Sequence, residues 1–192
     1  MKILLRNSAF IISFLLPGCQ SQLTPEKYVS YFDKHARSLA KGIERNGVLA
    51  QICYIPSDYY AAREAAARKN VNVDSIKTKY IKSIYFLVSV KPGKDNPNRN
   101  LPNSFLTDQS ARANDQSFSL VSDRDTVSSA AVLSEKTWNI SDEKKLLVSF
   151  TKSRIGKSLH QYHFLARNLD PALGTIDMPL KDIVMEMKKL KG

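Results

Sequence analysis

Cysteine, tryptophan, glycine and acidic residues are all scarce in this sequence. Its 192 residues include 2 cysteines, 1 tryptophan, 7 glycines and 18 acids against 29 Lys and Arg. Two cysteines exclude a disulfide-dense scaffold. A charged fraction of 24% and a mean hydropathy of -0.30 exclude a multispan membrane protein, a collagen-like repeat and a wholly disordered chain. No fixed-period repeat occurs, so solenoids and arrays are excluded as well. What remains is one domain of ordinary size, long enough to bury about two thirds of its unfolded surface. The shortage of acids leaves a net charge of +11, a balance that would suggest nucleic acid in a cytosolic protein.

The N-terminus points to another compartment. Lys2 and Arg6 precede an apolar stretch over residues 9–16 that only Ser13 interrupts, which is the charged and then apolar order of an export signal. Crossing a bilayer core takes roughly 20 apolar residues, and this stretch is too short. It ends in Leu16-Pro17-Gly18-Cys19, which resembles the lipobox of bacterial lipoproteins. The resemblance implies that residues 1–18 are removed, that signal peptidase recognises Leu16, Pro17 and Gly18, and that the sulfur of Cys19 receives a diacylglycerol. Two or more acyl chains hold a protein firmly where one holds it marginally. In such proteins an aspartate directly after the cysteine commonly retains the chain at the inner membrane. Gln20 stands there instead, so the expected location is the outer membrane, facing the periplasm. Residues 19–24 then form a short tether, and residues 25–192 a single domain close to the membrane. Processing removes only Lys2 and Arg6 of the charged residues, so the basic excess belongs to the domain. An exported lipoprotein does not ordinarily meet nucleic acid, and none is expected as a partner. The positive charge suits anionic head groups or an acidic envelope partner, or serves general solubility.

Within the domain, Thr24 and Pro25 read as the cap and first residue of a helix that continues to Gly42, with Tyr28, Phe32, His35 and Leu39 at helical spacing. Residues 48–55 read as a strand ending at Pro56. A second helix follows, capped by Ser57 or Asp58, with Glu64 placed four residues before Arg68. Residues 80–90 give the strongest strand signal, and residues 92–104 are almost wholly turn formers, which predicts a flexible surface loop. Further strands are expected over 118–121, 127–133, 145–150, 159–166 and 175–180, with the third and fourth joined as a hairpin through Gly156. Residues 181–192 suit a short helix or an edge strand. The predicted fold class is α+β, with N-terminal helices packed on a largely antiparallel β-sheet in a single domain.

No local motif supplies chemistry. Gly156-Lys157-Ser158 lacks the earlier glycine of a phosphate loop, since Thr151 stands in its place. His160 and His163, on a strand, would face opposite sides, and no metal site is expected. Asp123 and Asp125 lack the glycine and distal glutamate of a calcium loop and read as a solvated turn. With Cys19 consumed by lipid, Cys53 has no partner and reads as a buried, inert thiol. Neither a G-x-S-x-G elbow nor an H-E-x-x-H pair occurs, and neither catalytic residues nor a cofactor are assigned.

Beyond the lipobox, the helix YVSYF, the Y-x-P-x-x-Y pattern at Tyr54, Pro56 and Tyr59, and the closing segment 174–183 are similar to small uncharacterised Bacteroidota envelope lipoproteins. The resemblance implies an envelope role and transfers no activity. The functional expectation is therefore a lipid-anchored binding or assembly module with an envelope protein partner. Two alternatives stand beside it: an envelope hydrolase built from carboxylates and a histidine such as His160, and a solute-binding lipoprotein, which would need an apolar or aromatic-lined cavity.

Overall fold

The run VLAQICYI carries apolar side chains at adjacent positions, and a strand can bury such a run only when both faces of its sheet are covered. The fold does this with three layers. The computed structural model describes residues 23–68, 71–96, 117–134, 143–156 and 158–183. Its helices are α1 (Pro25–Leu39), α2 (Ser57–Ala67) and α3 (Val73–Tyr80). The first strands are β1 (Lys41–Arg45), β2 (Val48–Ile55) and β3 (Ser83–Pro92), followed by β4 (Phe118–Val121), β5 (Thr126–Ser128) and β6 (Ala131–Ser134). The last are β7 (Lys144–Thr151), β8 (His163–Ala166) and β9 (Ile176–Pro179). They form a five-stranded sheet, β1-β2-β3-β7-β6, and a four-stranded sheet, β5-β4-β8-β9, antiparallel at every junction. The chain is α+β, as its element pattern predicts.

Side-chain alternation assigns the layers. Ala50 and Ile52 on β2, Phe86 and Val88 on β3, and Val148 and Phe150 on β7 point into a core shared with Phe118, Leu120, Phe164 and Ile176 of the second sheet. Residues of the opposite parity, Cys53 and Ile55 on β2 with Leu87 on β3, meet Phe32 of α1 and Tyr59 and Tyr60 of α2. A third cluster joins the helices to one another through Tyr28, Ala61, Ala62, Ala65 and Ile76. The charged edge strand β1 exposes Lys41, Glu44 and Arg45, which discourages pairing with another chain.

Several boundaries differ from the expected ones. Helix α1 stops at Leu39, and Lys41 and Gly42 belong to β1, which returns through Asn46 and Gly47 into β2. Thr24 takes the cap position without a side-chain hydrogen bond, and Pro56, ahead of Ser57 and Asp58, caps α2 in the same way. Residues 80–82 close α3 and its turn, so β3 starts at Ser83. The expected strand over 127–133 is two strands in different sheets. Ser129 N–H still donates to Phe118 C=O of one sheet, whereas Ala130 N–H donates to Ser149 C=O of the other, so the chain changes sheets between these two residues. The expected hairpin through Gly156 is likewise absent: β7 and β8 lie in different sheets, linked by 3₁₀ turns at Lys152–Arg154 and Leu159–Gln161. Most of the expected loop over 92–104, and the chain after Ile183, lie outside the described residues.

Cys53 is buried, and its thiol donates toward Ala36 C=O at 3.6 Å. Burial pushes its pKa up to about 11, and a thiol so placed reacts slowly. In a Cys19→Ala chain, Cys53 should stay unmodified by a disulfide reagent at pH 8 and react fully once urea unfolds the protein. Stoichiometric labelling of the native chain within minutes would overturn its assignment as inert.

Candidate functional site

Helix α1 packs on β2 and α2 on β3, so the helical layer lies over one side of the five-stranded sheet and leaves a groove toward β7 and the edge strand β6. The groove has a volume of about 430 Å³, within the size range of small-molecule sites. Its floor is aliphatic, formed by Ile55, Leu87 and Leu147. Phe32 of α1 with Tyr59 and Tyr60 of α2 make an aromatic wall, and Leu133, 62% exposed, sits at the β6 rim. Arg63 lies beside both tyrosines on the helix surface because it follows Tyr59 by four residues and Tyr60 by three.

The wall is braced from behind. Glu64 accepts hydrogen bonds from Tyr80 Oη at 2.6 Å and Lys79 Nζ at 2.8 Å, and pairs with Arg68 at 2.9 Å. The bonds from Lys79 and Tyr80 hold its carboxyl below the ordinary carboxylate value. They also fasten α3 to α2, and the Tyr80 ring stacks on Tyr60 with centroids 5.7 Å apart. Asn72 begins α3 by accepting from the N–H groups of Asp74 and Ser75.

Three charged side chains line the groove. Asp33 accepts a hydrogen bond from Tyr59 Oη at 2.8 Å. Burial, with the bond to Asp33 second, pushes the Tyr59 hydroxyl up to about 12. Lys145 Nζ lies 3.6 Å from Glu143. Arg63 has no carboxylate partner among the described residues, and its positive field opposes the upward shift of both Tyr59 and Tyr60, whose hydroxyls burial raises. The lining thus offers apolar area and an available guanidinium. Among the described residues its one carboxylate is Asp33, already held by the Tyr59 hydroxyl.

The other candidates do not converge. His160 sits on a 3₁₀ turn, not on a strand as expected, and borders a cavity of about 430 Å³ with Lys152, Ser158, Ile84, Ile155 and Leu159. Among the described residues no acid lines that cavity. His163 is on β8, its Nδ1 2.7 Å from Asp177 Oδ1, both exposed. Asp123 and Asp125 occupy the exposed turn between β4 and β5, where Asp125 accepts from Thr126 N–H at 2.7 Å. Gly156 donates its N–H to Tyr162 Oη at 2.9 Å, at the edge of a cavity that also holds Arg124 and Arg154. Among the described residues no three His, Cys, Asp or Glu side chains are grouped to hold a metal ion. Leu16, Pro17, Gly18, Cys19 and Gln20 lie outside the described residues, which begin at Leu23. No described helix is long and apolar enough to cross a membrane.

Comparison with known proteins adds little to this geometry. No family model and no curated protein matches the chain. A crystal structure described as a novel protein of unknown function from Burkholderia pseudomallei is similar over 86% of this chain and 93% of that one, at 12% identity and a TM-score of 0.36.

Proposed function

We propose that the protein is a lipid-anchored component of a bacterial cell envelope, held at the outer membrane on its periplasmic face through Cys19, and that it works as a non-enzymatic binding module. The order of charge, short apolar stretch, small residue and cysteine supports the anchor. The groove under α1 and α2 carries the binding role, because it joins an apolar floor to an aromatic wall and holds a guanidinium, Arg63, with no carboxylate partner among the described residues. An envelope protein partner was the occupant expected from sequence. The groove's apolar floor and aromatic lining favour the solute reading, since those are features of a small-molecule site. The hydrolase reading gains nothing from the cavity beside His160, which has no carboxylate among its described lining residues.

The anchor is tested by Cys19→Ala. Fractionation of cells making the variant should find an uncleaved precursor or a chain released from membranes, and labelled palmitate should no longer be incorporated. Normal processing with unchanged membrane association would sink the anchor and leave the groove to be judged by itself.

A further inference from the structure

The groove's lining points to a more specific occupant, and we propose that it takes an amphipathic monoanion: a carboxylate on an unbranched hydrocarbon chain. This inference rests on the reading of the groove as a solute-binding site. Ile55, Leu87 and Leu147 offer a hydrocarbon chain a floor without hydrogen-bonding side-chain groups, and the Phe32 and Tyr59 rings, packed on each other with centroids 4.4 Å apart, border it. Removing such a chain from water is the main source of affinity. The head group is selected by charge. Arg63 lines the groove without a carboxylate partner among the described residues, and a planar guanidinium fits a carboxylate with two parallel hydrogen bonds. Lys145 adds a second cation on the sheet side, moderated by Glu143 at 3.6 Å. Asp33 is the lining's own acid, and it already accepts the Tyr59 hydroxyl. A cationic head would meet Arg63 and Lys145, and a neutral one would leave the guanidinium without a counter-ion. The exposed Leu133 at the β6 rim lets the far end of a longer chain leave the groove without a clash.

Isothermal titration calorimetry on the full Cys19→Ala chain tests this with three probes that share one tail: decanoate, decanol and decyltrimethylammonium. Decanoate should bind with the highest affinity, about fivefold tighter than decanol, the advantage expected of one partly exposed ion pair. Arg63→Gln should remove that advantage while leaving decanol unchanged. Leu133→Asp, a change at an exposed position that spares the fold, should weaken decanoate and strengthen decyltrimethylammonium. Any affinity of the N-terminal apolar stretch, with Lys2 and Arg6, for these probes is common to every variant, so the groove's preference is read from the changes that Arg63→Gln and Leu133→Asp produce. Equal binding of decanoate and decanol, with Arg63→Gln indifferent, would overturn the anionic specificity and keep the groove as a solute site. Failure of all three probes to bind would overturn the solute site itself.

Discussion

Phe86→Ala should be the most damaging single truncation in the chain, with a loss of about 3–5 kcal/mol, the range for removing a large aromatic side chain from a packed core. Phe86 is fully buried on β3, the central strand of the five-stranded sheet, between β2 and β7. Its ring meets Phe150 within its own sheet at 5.9 Å and Phe164 of the second sheet at 5.0 Å, with Tyr54 at 5.8 Å. Phe164 in turn meets Phe118 at 6.0 Å. Phe86 therefore belongs to the aromatic network that joins the two sheets. The cavity left by alanine would be walled by strands that cannot close over it without shifting their ladders. Thermal and urea unfolding should both report the loss, as a midpoint lower by about 10 °C and a reduced urea midpoint at unchanged slope. Phe86→Leu should cost clearly less, because it keeps most of the apolar volume. A loss below about 1 kcal/mol for the alanine variant would mean that the sheets do not pack through this residue.

The strands that carry this core were legible in the sequence because alternation and continuous apolar runs are local signals. Residues 48–55, 118–121 and 145–150 read as strands close to the observed bounds for that reason. The change of sheet was not legible, since a strand that turns a corner keeps its alternation: residues 127–133 look like one strand, and only the backbone partners of Ser129 and Ala130 show two. The hairpin expected between β7 and β8 failed for a related cause. A short polar connection fits a tight turn and an inter-sheet crossing equally well, and nothing local says which sheet the next strand will join. Helix α3 escaped because its eight residues bury a single side chain, Ile76, too few for a period to register. Its sign was Asn72, a good capping residue ahead of it. The groove draws on α1, α2, β2, β3, β6 and β7, so its assembly is a property of the topology. Only one part of it has a local signal, the spacing on α2 that places Arg63 four residues after Tyr59 and three after Tyr60.

Asn46 and Gly47 form the two-residue turn of the β1–β2 hairpin, and Gly47→Val should destabilise the protein by about 2–4 kcal/mol through two separable causes. Gly47 has φ +71° and Asn46 φ +48°, the left-handed pair that a two-residue turn between twisted strands requires. A β-branched side chain at such a φ is strained. Space is short as well, since a Cβ on Gly47 would lie 3.0 Å from the Cβ of Asn96. The turn cannot relax freely, because its surroundings grip it. Gly93 N–H donates to Gly47 C=O at 2.9 Å. Arg45 Nη1 donates to Leu173 C=O at 2.9 Å and Thr175 C=O at 3.1 Å, and Asn46 Nδ2 to Ala172 C=O at 2.9 Å. These bonds tie the β1–β2 hairpin to the turn between β8 and β9, so a displaced tip loosens one sheet from the other. The two causes part in a double-mutant cycle. Asn96→Gly removes the crowding and should recover part of the loss, whereas Gly47→Asn, which tolerates the left-handed conformation, should recover the conformational part and keep the contact. Equal unfolding midpoints for Gly47→Val and the unmodified chain would show that the turn is free to rearrange, and that the hairpin does not hold the sheets in place.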